Sequence, residues 1–151
     1  FSGENVSSSR VRSLLINGNI IEANQLLGRE FFMVGLVVKG HGRGKKFGIP
    51  TANLDFSAHK LIPKEGVYFS ITEIEGKKIH SITNVGFKPT FSDELKTVET
   101  HLLDFNSDLY GKEIKINLLK KLRNEKKFQG TEELILQIKS DIQMAKEFFK
   151  K

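Results

Sequence analysis

The stretch GVYFSITEIEGKKIHSITNV, residues 66–85, decides the structural class of this chain. Val67, Phe69 and Ile71 alternate with more polar neighbours, and this period of two predicts a β-strand with one buried face. The dipeptide EG at residues 75–76 interrupts the run before a second strand-like segment, which predicts a β-hairpin. The core of the chain is therefore expected to contain antiparallel strands.

Three further segments have the composition of strands. FFMVGLVVK at residues 31–39 is short, apolar and rich in β-branched side chains, as buried strands are. TVETHLLDF at residues 97–105 and KEIKINLLKKL at residues 112–122 lie on either side of the turn-like segment NSDLYG. With the hairpin, these segments give about five strands with no helix between them.

Short helices are predicted at the N-terminal end of the chain. Residues 1–28 contain two segments with helical patterns. The serines at residues 7–9 and Asn19 are the expected N-caps, and Gly18 and Gly28 are the expected C-terminal stops.

A longer helix is predicted at the C-terminal end, where Thr131 is the expected N-cap and Glu132 and Glu133 suit the helix dipole. One apolar stripe at the helical period follows, formed by Leu134, Ile135, Ile138, Ile142, Ala145 and Phe149. Strands followed by a single helix indicate an antiparallel barrel or a strongly curled sheet with the helix packed outside.

The composition limits the possible chemistry. The chain has 151 residues, enough for one main domain, and it has no cysteine, which excludes disulfides, thiolate zinc sites and cysteine nucleophiles. No segment approaches the ~20 apolar residues of a membrane helix, and we expect a cytoplasmic protein. The formal charge of +6 favours an anionic partner such as a nucleotide, a nucleic acid or an acidic membrane.

The segment GHGRGKKFG, residues 40–48, combines glycines with three long cations. Glycine can adopt positive φ and approach a ligand closely, so that several backbone amides point at one anion. The spacing fits neither the Walker pattern nor the dinucleotide-binding fingerprint. A flexible hairpin end has the same composition, and the loop alone leaves both interpretations open. The predicted phosphate-binding residues are Gly40, Gly42, Gly44, Lys45 and Lys46.

The next residues bring two oxygen donors to one side of the chain. Pro50 biases Ile49 toward extended geometry, and Thr51 and Asn53 are two residues apart, so they face the same side of a strand-like segment. A nucleotide-bound Mg²⁺ takes most of its ligands from phosphates and water and needs one or two from the protein. We therefore predict that Thr51 and Asn53 contact such an ion.

Glu99 lies in the segment 97–105 and shares a strand face with His101 and Leu103. A carboxylate on a half-buried strand is costly unless it has a partner or a chemical task. One such task is general base catalysis on a substrate hydroxyl, as in phosphoryl transfer. The alternative is an ordinary glutamate that faces solvent or pairs with a lysine.

A series of motifs between residues 29 and 151 resembles riboflavin kinase, the module that phosphorylates riboflavin to FMN. In order, the motifs are VVKGHGRGKKFGIPTANL, GVYF, NVGFKPTF, VETHLLDF, DLYG and KLRNEKKF followed by the helix. The resemblance implies a mainly β fold, a six-stranded antiparallel Greek-key β-barrel with a C-terminal α-helix, preceded here by the short N-terminal helices. It also implies ATP and Mg²⁺ as cosubstrates, riboflavin as substrate, and FMN and ADP as products.

The resemblance assigns roles to individual residues. It implies that Glu99 is the catalytic base, and that Pro50, Thr51 and Asn53 line the ATP site, the last two contacting metal and phosphate. Further ATP contacts carry over to Leu102, Asp104 and Tyr110, and flavin contacts to Arg123, Lys126 and Phe128. For two of these a simpler role stays open, since Phe128 can anchor the helix start and Lys126 can be a solvated charge.

Residues 1–28 resemble the end of the FMN adenylyltransferase module that precedes the kinase in bacterial bifunctional FAD synthetases. VSSSRVR matches its ISSTRIR-type motif, with Ser9 in place of the usual threonine. The body of that module is not among these residues, so we expect kinase activity without FAD synthesis, and the module as a partner in the full-length protein.

A basic barrel that binds nucleic acid or flavin without catalysis is the alternative. The chain has no Trp and two Tyr, whereas proteins that bind single-stranded nucleic acid stack bases on exposed aromatic side chains. We expect neither a nucleic-acid nor a membrane partner.

Overall fold

The computed structural model describes residues 8–38, 51–55, 61–89, 94–105 and 108–150. These ranges contain the strands β1 (Phe31–Val38), β2 (Ala52–Asp55), β3 (Gly66–Ile74), β4 (Lys77–Pro89), β5 (Glu94–Leu102) and β6 (Glu113–Arg123). They also contain the helices α1 (Ser8–Ile16), α2 (Ile20–Leu27) and α3 (Thr131–Lys150). The predicted site residues that fall outside the described ranges are Gly40, Gly42, Gly44, Lys45, Lys46 and Pro50.

The strands close into a barrel in the order β1–β2–β5–β4–β3–β6, and neighbouring strands are antiparallel. β3, β4 and β5 follow one another as neighbours and β2 lies beside β5, which is a Greek-key arrangement. The predicted mainly β fold with a C-terminal helix and short N-terminal helices is confirmed. None of the helices in the described ranges combines the length and the apolar character that a bilayer crossing requires.

The hairpin forms as the alternation predicts. β3 and β4 pair along the whole length of β3. The turn residues Glu75 and Gly76 have φ angles of 49° and 80°, as a two-residue type I′ turn requires. β2 is the strand that no alternation predicted, because four residues are too few to show a period.

Two predicted helix caps differ in the structure. Asn19 precedes α2, but its side chain makes no capping hydrogen bond. α3 begins at Thr131 and the Gly130 carbonyl accepts the Leu134 N–H at 3.2 Å, so Gly130 takes the cap position expected for Thr131. Gly28 ends α2 in the left-handed conformation, with φ of 72°, as predicted.

The N-terminal helices pack on the barrel. Leu15 of α1 and Ile20 of α2 belong to the hydrophobic cluster that also fills the barrel interior. The Asn24 side chain joins α2 to two strands: its Nδ2 donates to the Leu118 carbonyl at 2.9 Å, and its Oδ1 accepts the Phe31 N–H at 2.8 Å.

The period of two separates an inner from an outer face. Tyr68, Val85 and Val98 point inward and are buried. Five hydroxyl side chains also point inward, have no exposed surface and form one hydrogen-bonded chain: Thr72, Ser81, Ser70, Thr83 and Thr100.

The helix α3 covers part of the outer face. The Phe148 ring stacks on Phe69 of β3 with a centroid distance of 4.2 Å. Asp141 of α3 accepts two hydrogen bonds from the Arg123 guanidinium, from Nε at 2.9 Å and from Nη2 at 2.8 Å. The rest of the outer face of β5 and β4 carries the polar side chains described next.

Candidate active site

Three polar side chains lie side by side on the outer face of the barrel. Asn53 of β2 pairs with Glu99 of β5, and Glu99 pairs with Asn84 of β4. Directly opposed residues of antiparallel strands point to the same face, with Cβ atoms about 4.5–5.5 Å apart. Because the adjacent residues Val98 and Val85 are buried in the interior, these three side chains face outward. The structure thus brings the predicted metal ligand Asn53 next to the predicted base.

Glu99 is half-buried. Within the described ranges, the ion pairs use other carboxylates, those of Glu75, Glu73, Asp141 and Asp104. The alternative in which Glu99 is neutralised by a lysine therefore finds no support in the part of the chain that the structure describes.

Asn84 is a candidate site residue that the sequence did not reveal. Its Oδ1 is buried and accepts no hydrogen bond from the residues that the structure describes, whereas its side chain lowers the pKa of the Glu125 carboxylate, as a donor that faces a carboxylate does. A buried acceptor without a partner costs about 1–3 kcal/mol and needs an explanation. Asn84 alternates in phase with the outward-facing Ile82, but the pattern of one strand cannot show that it lies opposite Glu99.

Glu125 follows β6 and reaches back over β4. A Cβ placed on Gly86 would be 3.0 Å from Glu125 Oε2, so the carboxylate fills the space that this glycine leaves. Glu125 is exposed as a whole residue, but partial burial of its carboxylate raises its pKa; the Arg123 guanidinium opposes the rise and the charge of Glu65 adds to it. No local pattern indicated a role for Glu125 either, because its partners are distant in the chain.

The predicted nucleotide-binding residues lie near Asn53, at one end of the row formed by Asn53, Glu99 and Asn84. Val38, the last residue of β1, pairs with Asn53, and Thr51 is exposed just before β2. The two described residues that flank the segment 39–50 are therefore close to the Asn53–Glu99 pair. The phosphate contacts of the segment itself fall outside the described residues.

The other predicted ATP contacts differ in exposure. Tyr110 is 59% exposed and lies near the end of β1, because the neighbouring Gly111 N–H donates to the Val37 carbonyl at 2.9 Å. Asp104 is exposed just beyond β5. Leu102 is 6% exposed and packs in the interior cluster, so only its backbone can meet a nucleotide.

Arg123 lies at the opposite end of the row. Asn84 pairs with Val67, and Val67 pairs with Arg123. Three strand spacings, about 14 Å measured around the barrel, separate the backbones of Arg123 and Glu99. The bidentate contact with Asp141 uses two of the guanidinium nitrogens, so the structure shows Arg123 joining β6 to α3 and does not bring it to Glu99.

Lys126 and Phe128 lie between β6 and α3. The Lys126 Nζ atom is 5.8 Å from the centroid of the Phe128 ring, within the range of a cation–π contact. Phe128 is half-buried and Lys126 is exposed. This placement suits both a flavin contact and the simpler roles of helix anchor and solvated charge.

Comparison with protein families shows which family the chain resembles along most of its length. The family model described as Flavokinase: Riboflavin kinase matches residues 27–149. The chain belongs to the riboflavin kinase family. The match covers all six strands and most of α3, so it includes the row formed by Asn53, Glu99 and Asn84.

Curated relatives of this riboflavin kinase domain are bifunctional riboflavin kinase/FMN adenylyltransferases. The protein of Bacillus subtilis (strain 168) is 41% identical over 147 residues, which is 95% of this chain and 46% of the relative. That of Listeria monocytogenes is 36% identical over 151 residues, which is 99% of this chain and 48% of the relative. The chain therefore spans about half the length of the curated relatives it matches.

Two solved structures are similar to the riboflavin kinase domain. The riboflavin kinase from Trypanosoma brucei has a TM-score of 0.53 and 25% identity, covering 80% of this chain and 77% of that one. A Streptococcus pneumoniae structure described as a macrolide-efflux protein has a TM-score of 0.89 and 34% identity, covering 97% of this chain and 48% of that one.

Proposed function

We propose that this chain transfers the γ-phosphoryl group of ATP to the 5′-hydroxyl of riboflavin, giving FMN and ADP. The observation that carries the proposal is the register that sets Asn53 directly opposite Glu99 on the outer face. A ligand for metal and phosphate beside a carboxylate is the arrangement that phosphoryl transfer to an alcohol requires. Membership of the riboflavin kinase family supports riboflavin as that alcohol.

Glu99 acts on the acceptor alcohol in this proposal. Its carboxylate accepts the proton of the 5′-hydroxyl while the hydroxyl oxygen attacks the γ-phosphorus, and the bond to the β-phosphate oxygen breaks to release ADP. β5 is paired on both sides of Glu99, with β2 and with β4. The two ladders hold the backbone in place and so limit the positions that the carboxylate can take.

Thr51 and Asn53 fit a nucleotide-bound Mg²⁺. Both offer neutral oxygen donors, Thr51 from an exposed side chain and Asn53 from a half-buried one, and one or two protein ligands suffice for such an ion. The ion supplies positive charge that offsets the charge of the phosphates during transfer.

The remaining predicted site residues are also proposed as contacts of ATP or of the flavin. We propose ATP contacts for Asp104 and Tyr110 and for the glycine-rich residues, and flavin contacts for Lys126 and Phe128. Arg123 stays a proposed flavin contact that must share its donors with Asp141. We also propose a cytoplasmic protein in which this domain works beside an FMN adenylyltransferase module.

A product assay tests the proposal. The chain is incubated with riboflavin, ATP and Mg²⁺, and FMN and ADP are separated by chromatography; we expect both products in equal amounts. A parallel reaction with FMN and ATP is expected to give no FAD. Absence of FMN from a sample whose fold is verified by circular dichroism would refute the proposed function.

A further inference from the structure

Three hydrogen-bond acceptors lie close together on the outer face beside Glu99. They are the carboxylates of Glu99 and Glu125 and the unpaired Oδ1 of Asn84, on β5, the segment after β6 and β4. Thr97, opposite Gly86 on the same face, adds a hydroxyl that can donate or accept. A ligand that satisfies these groups must donate several hydrogen bonds and be able to accept one, which is what a chain of secondary alcohols does. We propose that Asn84, with Glu125, recognises the secondary hydroxyls of the substrate's polyol chain, so that Asn84 is a specificity-determining residue; the inference rests on the proposed function.

The spacing supports this role. Asn84 lies directly opposite Glu99, so one strand spacing of about 4.8 Å separates their backbones. Because the proposed nucleotide and metal contacts lie on the β2 side of Glu99, a polyol whose terminal hydroxyl meets the carboxylate extends to the other side, toward β4 and Asn84. The polyol then runs from β5 across β4 toward Glu125.

The surroundings of the Asn84 amide indicate which atom is left for the ligand. The Asn84 side chain lowers the pKa of the Glu125 carboxylate, as a donor does, so the nitrogen faces Glu125, and the oxygen has no partner among the described residues. Exchanging the two atoms would place an oxygen against a carboxylate. Asn84 therefore presents an acceptor, and a hydroxyl donor is the group that completes it.

Glu125 limits access to this part of the outer face without having to leave it. Its carboxylate lies over Gly86, and residues 124–128 form neither helix nor strand, so Glu125 can adjust its position without breaking a strand pairing. Asn84 Oδ1 is buried, so the side chains around it must shift for a ligand to reach it. A polyol can then donate one hydroxyl to Asn84 Oδ1 and another to the Glu125 carboxylate, while the Asn84 nitrogen still faces Glu125.

The test compares two substrates on two proteins. The first substrate is riboflavin, and the second is an isoalloxazine whose ribityl group is replaced by 5-hydroxypentyl, which keeps the terminal hydroxyl and lacks the secondary ones. We expect wild type to prefer riboflavin in kcat/KM by about 10²-fold or more, since a site built for hydroxyls rejects analogues that lack them. Asn84→Leu, which keeps the size of the side chain and removes the acceptor, should reduce that preference to below about tenfold.

Controls make each outcome decisive. Asn17→Leu makes the same change at an exposed residue of the N-terminal region and should keep the wild-type preference. Asn84→Ser, which retains an oxygen acceptor, should keep part of the preference, and it replaces Asn84→Leu if the latter unfolds. An equal loss of kcat/KM for both substrates, or an unchanged preference in both Asn84 variants, would overturn the inference.

The inference can fail separately from the proposed function. Quenching of flavin fluorescence measures binding of the same two flavins without ATP and without turnover. If wild type phosphorylates neither flavin, the proposed function is wrong. The role of Asn84 is then supported if wild type still binds riboflavin about tenfold or more tightly than the hydroxypentyl flavin and Asn84→Leu loses that difference, and it is refuted otherwise.

Discussion

Two neighbouring pairs of residues on β4 and β5 show how differently the two faces of the barrel are built. Thr83 and Thr100 are cross-strand partners inside the barrel, and the adjacent partners Asn84 and Glu99 lie outside. The inner hydroxyls are 2.5 Å apart and have no exposed surface, whereas the outer pair is half-buried and Asn84 has an unpaired acceptor. The inner face satisfies its polar groups when the chain folds, and we infer that the outer face does so when its ligand binds.

The inner hydroxyl chain has one possible direction. A carbonyl cannot donate, so Thr100 donates to the Ile82 carbonyl at 3.3 Å and must accept from Thr83. Each hydroxyl has one proton to donate, so the same reasoning assigns the donor in every contact between the five hydroxyls. From donor to acceptor, the order is Thr72, Ser81, Ser70, Thr83, Thr100 and the Ile82 carbonyl.

The largest effect is expected on the outer face, where Glu99→Gln removes the proposed base and keeps the size of the side chain. We expect kcat to fall by about 10²–10⁴-fold, while riboflavin binding measured by fluorescence quenching stays close to wild type. Steady-state rates of FMN formation provide the measurement. An unchanged kcat would show that Glu99 is not the base, and the outer face would lose its proposed catalytic role.

A second prediction concerns the pair formed by Asp141 and Arg123, polar groups that stabilise the fold and are not free to bind a ligand. Asp141→Asn breaks the bidentate pair with Arg123, in which the side chains are 8% and 22% exposed. We expect a loss of about 3 kcal/mol in the free energy of unfolding measured with urea, because a buried charge is left without its partner. Glu75→Gln is the control: its contact with Lys112 is shorter, at 2.6 Å, but exposed, so the urea midpoint should not change measurably. Equal effects of the two changes would contradict this reasoning.

On the inner face, the direction of the hydroxyl chain predicts unequal losses of stability. Thr100→Val removes the acceptor for the Thr83 hydroxyl and the donor to the Ile82 carbonyl, so it should cost about 1–3 kcal/mol. Thr72→Val removes only a donor at the start of the chain, since Ser81 still donates to Ser70, and should cost less than about 1 kcal/mol. Urea unfolding of both variants provides the comparison, and a larger loss for Thr72→Val would reverse the assigned direction.

The smallest effect concerns Glu125, whose pKa is raised by burial and by Glu65 and lowered by Arg123, the Lys126 backbone N–H and Asn84, with a net rise. A carboxyl with a higher pKa in the folded than in the unfolded state stabilises the fold at acid pH, and this contribution is lost as pH rises through the folded pKa. Glu125→Gln should therefore raise the melting temperature at pH 7.5 more than at pH 4.5. A gain confined to pH 4.5 would show that the carboxylate is stabilised in the fold.

Local patterns predicted much of the barrel and one half of the site. The hairpin at residues 66–85 was predictable because alternation and turn chemistry act between adjacent residues. The same period placed Glu99 on one strand face with His101 and Leu103, and the structure shows that this is the outer face. Leu102 shows the limit of such patterns: three residues from Glu99, it has the opposite parity and points into the interior.

Other parts of the site were beyond local patterns. Asn84 and Glu125 gave no signal, because they lie about 40 residues apart in the chain and meet only where the segment after β6 folds over β4. Arg123 was predicted from its motif as a flavin contact. Its pairing with Asp141 depends on where α3 docks, which no strand pattern contains.

The sequence by itself determined the strand class, the position of the C-terminal helix, the family and the identity of the candidate base, because these depend on residue types and short-range periods. The tertiary structure decided which polar residues are neighbours: Asn53, Glu99 and Asn84 come from three strands whose register is set by closure of the barrel. Register between strands that are distant in the chain depends on all the interior contacts together, so no single segment of the sequence determines it.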